Sequence, residues 1–210
     1  MKLKVCGMSN IGNIRELEDQ VQPDWMGLIF YPPSPRYVGD QPFPGITDIS
    51  LRKVGVFVNE SRESIQQKVN DFGLSGIQLH GDENVAEVKA IKESSGLEIF
   101  KVFKVIDRMK WTELEAYLPW VDYFLFDTYT QNQGGSGQTF DWEILKDYPF
   151  EKPIILSGGI DADQVNEILE LKKLIPQLAG VDINSRFEVE PGIKNISKVK
   201  KFKAQLKKIE

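Results

Sequence analysis

The only cysteine of this 210-residue chain, Cys6, stands in "KLKVCGMSN", where a short apolar run meets a glycine. A thiolate at the end of a strand can act as a nucleophile or a general base once local charges lower its pKa. A small buried hydrophobe is the other role open to a lone Cys. Asp127 closes the run "YFLFD", where apolar neighbours make a carboxylate costly to place. Held protonated by an apolar wall it would serve as a general acid; otherwise it caps a turn or pairs with an Arg. Arg36 follows Pro35 in "SPRY", and a cation on a proline-stiffened loop suits a carboxylate clamp. Gly158 and Gly159 in "SGG", and the turn Asn184-Ser185-Arg186 in "DINSR", allow close backbone approach to a phosphate, with a helix N-terminus expected after the second of them. Gln78 and His80 in "QLHGDE" could line the same pocket, and His80, the sole His, is open to a base role or a structural one.

Composition narrows the field. Hydrophobic residues make up 41% and charged residues 27%, with a net charge of -5. That balance suits a soluble globular domain and offers no broad basic face for nucleic acid or anionic lipid. One Cys excludes an intrachain disulfide, and one His leaves little for a Cys/His metal site, so no metal ligands are assigned. The first residues carry charge and no run long enough for a signal peptide, and no stretch reaches the length of a membrane span. The expectation is a reduced, cytoplasmic protein without a nucleic-acid or membrane partner.

These side chains need elements to hold them. Apolar, β-branched runs recur at 2–7, 25–30, 53–58, 76–80, 99–105, 123–128, 153–157 and 179–184. Near-continuous hydrophobicity is what strands buried on both faces of a parallel sheet show. Amphipathic segments lie between them: 60–72 with Ser61 as N-cap, 82–96 with Val85, Val88 and Ile91 on one face, 161–174, and 197–210, whose lysines form a solvated face. The stretch "YPPSPRYVGDQPFPG" is too rich in Pro and Gly for a full helix and is expected to be a loop. Eight strands alternating with crossovers predict an α/β fold, a single (β/α)8 TIM barrel spanning residues 1–210 as one catalytic domain, with a doubly wound open sheet as its structural rival. Every residue singled out above falls at a strand end or in the loop after one, the active face of such a barrel.

The ordered set "KVCGMSN", "GLIFYPPSPRYV", "VGVFVN", "IQLHGDE", "FLFDT" with "GGSGQTFDW", "SGGI" and "GVDINSRFEVEPGIKN" resembles the phosphoribosylanthranilate isomerases along essentially the whole chain. The resemblance implies a barrel enzyme of tryptophan biosynthesis without metal or organic cofactor, a monomer or homodimer. Its small-molecule substrate, N-(5-phosphoribosyl)anthranilate, undergoes an Amadori rearrangement to 1-(2-carboxyphenylamino)-1-deoxyribulose 5-phosphate. Carried over by position, the family's general base falls on Cys6 and its general acid on Asp127. The contact to the anthranilate carboxylate falls on Arg36, and the phosphate turns fall on Gly158, Gly159, Asn184, Ser185 and Arg186. The chain departs from the family pattern at Arg186, where Gly is common after two Ser, and at Ser157, where Ala is common. Rival readings are another phosphosugar barrel, which would place a second carboxylate at position 6 or show metal-binding histidines, and a noncatalytic binder of phosphate ligands. Retention of both Cys6 and Asp127 counts against the second.

Overall fold

The computed structural model describes residues 1–105, 109–128 and 142–207. Eight strands run β1 (Lys2–Val5), β2 (Trp25–Ile29), β3 (Lys53–Phe57), β4 (Gly76–Leu79), β5 (Glu98–Val105), β6 (Tyr123–Thr128), β7 (Ile154–Ser157) and β8 (Leu178–Ile183). Each pairs in parallel with its sequence neighbour, and β8 pairs with β1, so the sheet closes into a barrel. The open-sheet rival is thereby excluded. Closure removes both sheet edges, and the crossovers bury the outer face, which is why the strands read as apolar on both sides.

The helices α1 (Ile11–Gln20), α2 (Arg62–Phe72), α3 (Val85–Ser95), α4 (Trp111–Leu114), α5 (Val165–Leu174) and α6 (Ile196–Leu206) lie in the crossovers. Ser61 caps α2 by accepting from the Ser64 N–H, as its sequence position predicts. Asn84 caps α3 in a reciprocal box with Glu87. Among the described residues, three crossovers depart from the regular pattern. Residues 31–52 contain no helix, in keeping with their prolines and glycines, α4 is a single turn, and a 3-10 helix (Trp142–Asp147) precedes β7. A hairpin of β9 (Glu188–Glu190) and β10 (Ile193–Lys194), which the sequence did not announce, follows β8.

Side chains alternate across each strand, and this sorts the sequence into two sets. Leu3 and Val5 of β1 join a core cluster with Ile14 and Leu17 of α1, between sheet and helices. Lys2, Lys4 and Cys6 take the other side. Inside the barrel, Trp25, Phe100 and Tyr123 pack ring against ring at centroid distances of 4.9–5.3 Å. Burial of each such ring contributes roughly 1.5–3 kcal/mol. The Lys2 ammonium donates to the Tyr123 hydroxyl at 2.6 Å and lies 4.9 Å over the Trp25 ring. This aromatic floor fills the bottom of the barrel, so the inward positions further along each strand are those left to form a site.

Candidate active site

At the C-terminal mouth a cavity of about 190 Å3 is lined by side chains from β1, β4, β6 and β8 and by the turns after β7 and β8. It brings together Cys6, Gln78, His80, Asp127, Gly158, Gly159, Asn184, Ser185 and Arg186, with Ile29, Val56 and Ile160 as its apolar lining. These residues span nearly the whole chain, and the inward phase of each strand is what gathers them. "GGSG" at 134–137 lies outside the described residues.

Cys6 is 4% exposed, its N–H donating to the Ile183 carbonyl at 2.9 Å. Burial pushes its thiol up, against the opposing pull of Lys4 and Lys194. The lowered pKa expected from the sequence is therefore not found; desolvation outweighs the neighbouring cations. Gly7 beside it is fixed by space: a Cβ there would lie 2.7 Å from both Arg36 Cδ and Asn184 Oδ1.

Asp127 ends β6 across the cavity, with its Oδ2 3.3 Å from His80 Nε2. Gln78 Nε2 is 3.2 Å from His80 Nδ1. The Gln78 amide nitrogen can only donate, so Nδ1 accepts and Nε2 carries the ring hydrogen that faces the carboxylate. Alternation also corrects the expected apolar wall. Phe124 and Phe126 point outward, Phe126 packing on Trp111 and Tyr148, while Tyr123 and Leu125 belong to the interior cluster below.

Arg36 is the one sequence-predicted residue outside this lining. Its Nε and Nη2 donate to Glu188 at 2.8 and 2.6 Å as a two-point fork. The Glu188 side chain is 5% exposed and also accepts from the Lys194 ammonium at 2.6 Å. That ammonium in turn donates to Asn184 Oδ1 at 2.8 Å. Arg36 is thus anchored at the rim, its stem on Gly7, with the second edge of its guanidinium directed by the ion pair.

Gly158 and Gly159 have φ values of +90° and +65°, a region that favours glycine and lets the backbone turn tightly at the cavity edge. After β8 the structure differs from expectation. Asn184 leads into a three-residue 3-10 turn (Ser185–Phe187) instead of an α-helix N-terminus. The hairpin that follows occupies that place and carries Glu188 and Lys194 to the site.

Four charged residues here escaped the sequence reading: Lys4, Asp182, Glu188 and Lys194. The first two were visible as charges inside apolar strands, Lys4 two residues before Cys6 and hence on its side of β1. Lys4 Nζ donates to Asp182 Oδ2 at 3.0 Å with exposures of 0% and 5%. Two buried acceptors in the cavity wall, Gln78 Oε1 and Asp182 Oδ1, have no hydrogen-bond partner among the described residues. Such atoms suit donors on a bound ligand. Among the described residues no group of three or more His, Cys, Asp or Glu side chains is placed to hold a metal ion. No helix among them is long and apolar enough to cross a membrane.

Parallel barrel and mouth-lining reactive side chains together define a (β/α)8-barrel enzyme. Residues 3–205 match the model of a family described as N-(5'phosphoribosyl)anthranilate (PRA) isomerase. The N-(5'-phosphoribosyl)anthranilate isomerase of Phocaeicola vulgatus is 42% identical over 207 residues, covering 99% of this chain and 98% of the relative. The crystal structure of phosphoribosyl anthranilate isomerase from Thermotoga maritima superimposes with a TM-score of 0.78 at 29% identity, covering 99% and 98% of the two chains. Another solved phosphoribosyl anthranilate isomerase, in complex with reduced 1-(o-carboxyphenylamino)-1-deoxyribulose 5-phosphate, gives a TM-score of 0.75 at 26% identity, covering 99% and 98%. The chain belongs to the N-(5'-phosphoribosyl)anthranilate isomerase family and is an isomerase of tryptophan biosynthesis.

Proposed function

We propose that the cavity carries out the Amadori rearrangement of N-(5-phosphoribosyl)anthranilate with Cys6 as general base and Asp127 as general acid, residues 1–210 forming one catalytic domain. The observation that carries this reading is that Cys6 and Asp127, from β1 and β6, line one cavity together with the glycine turn after β7. A phosphate at Gly158 and Gly159, with Ser185 and Arg186 beside it, anchors one end of the substrate. Arg36, steadied by Glu188, offers the free edge of its guanidinium to the anthranilate carboxylate at the other end. The sugar then spans the mouth between the two reactive groups, the positioning on which acid–base catalysis depends. Gln78 Oε1 and Asp182 Oδ1 accept hydrogen bonds from its hydroxyls, and His80 steadies the Asp127 carboxyl.

Protonation of the ring oxygen by Asp127 breaks the C1′–O bond as the anthranilate nitrogen lone pair forms C1′=N, leaving an iminium conjugated with the aromatic ring. The Cys6 thiolate then takes the C2′ proton. An S–H bond forms, and the released electron pair becomes the C1′–C2′ double bond as the iminium is neutralised. The resulting enolamine tautomerises to the ketone. A ligand related to the reduced product occupies a solved relative, which supports a carboxyphenylamino sugar phosphate as the matching ligand.

Following the loss of substrate fluorescence in Cys6→Ser tests the reading directly. A Ser hydroxyl is far less acidic than a thiol, so turnover should fall by about 100-fold or more while a reduced product analogue still binds. Near-normal turnover in that variant would remove Cys6 from the reaction.

A further inference from the structure

Lys4 is fully buried, a costly place for an ammonium unless it is paired. Asp182 supplies the pairing, and the register explains why: Lys4 and Asp182 are direct partners across the β1–β8 seam, both pointing inward. The pair does more than cancel itself. Lys4 and Cys6 are two residues apart on one strand, so both project to the same side. The ammonium and the thiol attract one another electrostatically. Gly27 on the adjoining strand β2 makes the approach possible. A Cβ at that position would lie 2.7 Å from the Cys6 sulfur, 3.0 Å from Cys6 Cα and 3.1 Å from Lys4 Nζ. Any larger residue would enter the space where sulfur and ammonium meet. Asp182 meanwhile keeps its second oxygen, Oδ1, unpartnered among the described residues and in the cavity wall, so it is not a closed structural salt bridge.

We propose that Lys4 is a positioning residue for Cys6: clamped by Asp182 and admitted by Gly27, its ammonium lies against the sulfur and stabilises the thiolate that removes the substrate proton. The inference rests on the reading of Cys6 as base. Several other charged groups face the sulfur. Asp182 from β8 opposes the thiolate, and Lys194 from β10 assists it. Arg36 from the loop after β2 interacts with it favourably, and His80, Asp127 and Arg186 share the cavity. Among the cations, Lys4 exerts a larger pull on the thiol than Lys194. Burial disfavours the charged thiol, and Lys4 is the group that keeps the thiolate within reach.

Because Cys6 is the only cysteine, thiolate absorbance titrated against a Cys6→Ala control reports this one group. In Lys4→Met the midpoint should move upward by about one pH unit or more, the size expected for losing an adjacent opposite charge. Neutral-pH turnover should fall about tenfold, and the gap to the unaltered chain should narrow as alkali forms the thiolate. A purely structural lesion would not recover with pH. Lys4→Met leaves Asp182 buried without a partner, so Lys4→Met/Asp182→Asn serves where the single variant fails to fold. The midpoint should still rise there, because the pull of the ammonium on the thiol outweighs the push of the carboxylate. An unchanged midpoint in the folded variant overturns the role of Lys4. A raised midpoint with full turnover in Cys6→Ser would instead overturn Cys6 as base and leave the Lys4–Cys6 contact standing.

Discussion

At the scale of single residues the site is governed by competition between burial and charge. Cys6 shows it through stability as well as rate. Its folded-state pKa lies above the ordinary 9.0 because burial favours the neutral thiol. The stabilisation this gives is fully present below the ordinary value and is lost as pH climbs through the raised one. Cys6→Ser lacks that dependence. Urea unfolding at about pH 7 and about pH 10 should show the unaltered chain losing more stability on going alkaline than the variant. Equal losses would place the proton uptake elsewhere. Arg36 is set by a different balance. Its proposed partner carries full charge in the ground state, so Arg36→Ala should raise KM by about tenfold or more while kcat changes little. Steady-state kinetics separates the two, and a collapsed kcat at constant KM would contradict the clamp.

At the scale of elements, strand phase decides which residues meet. Gly27 shows how narrow the tolerance is. Gly27→Ala inserts a methyl 2.7 Å from the Cys6 sulfur, so the strand must shift. Overpacking of this kind costs about 1–3 kcal/mol, and the displaced thiol should lose turnover at least tenfold while circular dichroism keeps its barrel signature. Unimpaired turnover would show that the contact is slack. The strands were legible in the sequence because their near-continuous β-branched runs leave little alternative, and Ser61 marked the start of α2 by its capping chemistry. Cys6, Asp127 and the glycine pair were legible because each breaks an apolar run where packing alone has no use for it. Glu188 and Lys194 were not, since they sit on a short hairpin whose role is set by contacts across the seam, about 150 residues from Arg36. The outward turn of Phe124 and Phe126 was implicit in strand alternation. The pairing of Asp127 with His80 was not, because it depends on which inward residues from β4 and β6 stand level.

At the scale of the whole molecule, a network of buried charge fastens the barrel where its first and last strands meet. Arg36, Glu188, Lys194 and Asn184 join the loop after β2 to the end of β8 and the hairpin beyond it. The Lys194 backbone N–H donates to Asn13 of α1 at 2.7 Å, tying the hairpin to the first helix as well. Burial works to raise Glu188, but hydrogen bonds from Arg36 and Lys194 prevail and hold its carboxyl below the ordinary 4.5. Its contribution is therefore present above that value and is lost as pH falls through the lower folded one. Glu188→Gln leaves Lys194 buried without its counter-ion and should cost about 3–5 kcal/mol by chemical denaturation at neutral pH. The deficit should shrink in acid, and a loss within about 0.5 kcal/mol would mark the network as decorative. The closing of β8 onto β1 also sets an order of events during synthesis. Cys6 is synthesised well before β8, and its strand has one open edge until residues 178–183 follow. Until β8 is made, the nascent chain exposes an unpaired strand edge beside its reactive thiol, the state in which aggregation and oxidation compete with folding. Ribosome-bound chains ending before β8 should therefore leave Cys6 open to alkylation, and release of the last strand should shield it.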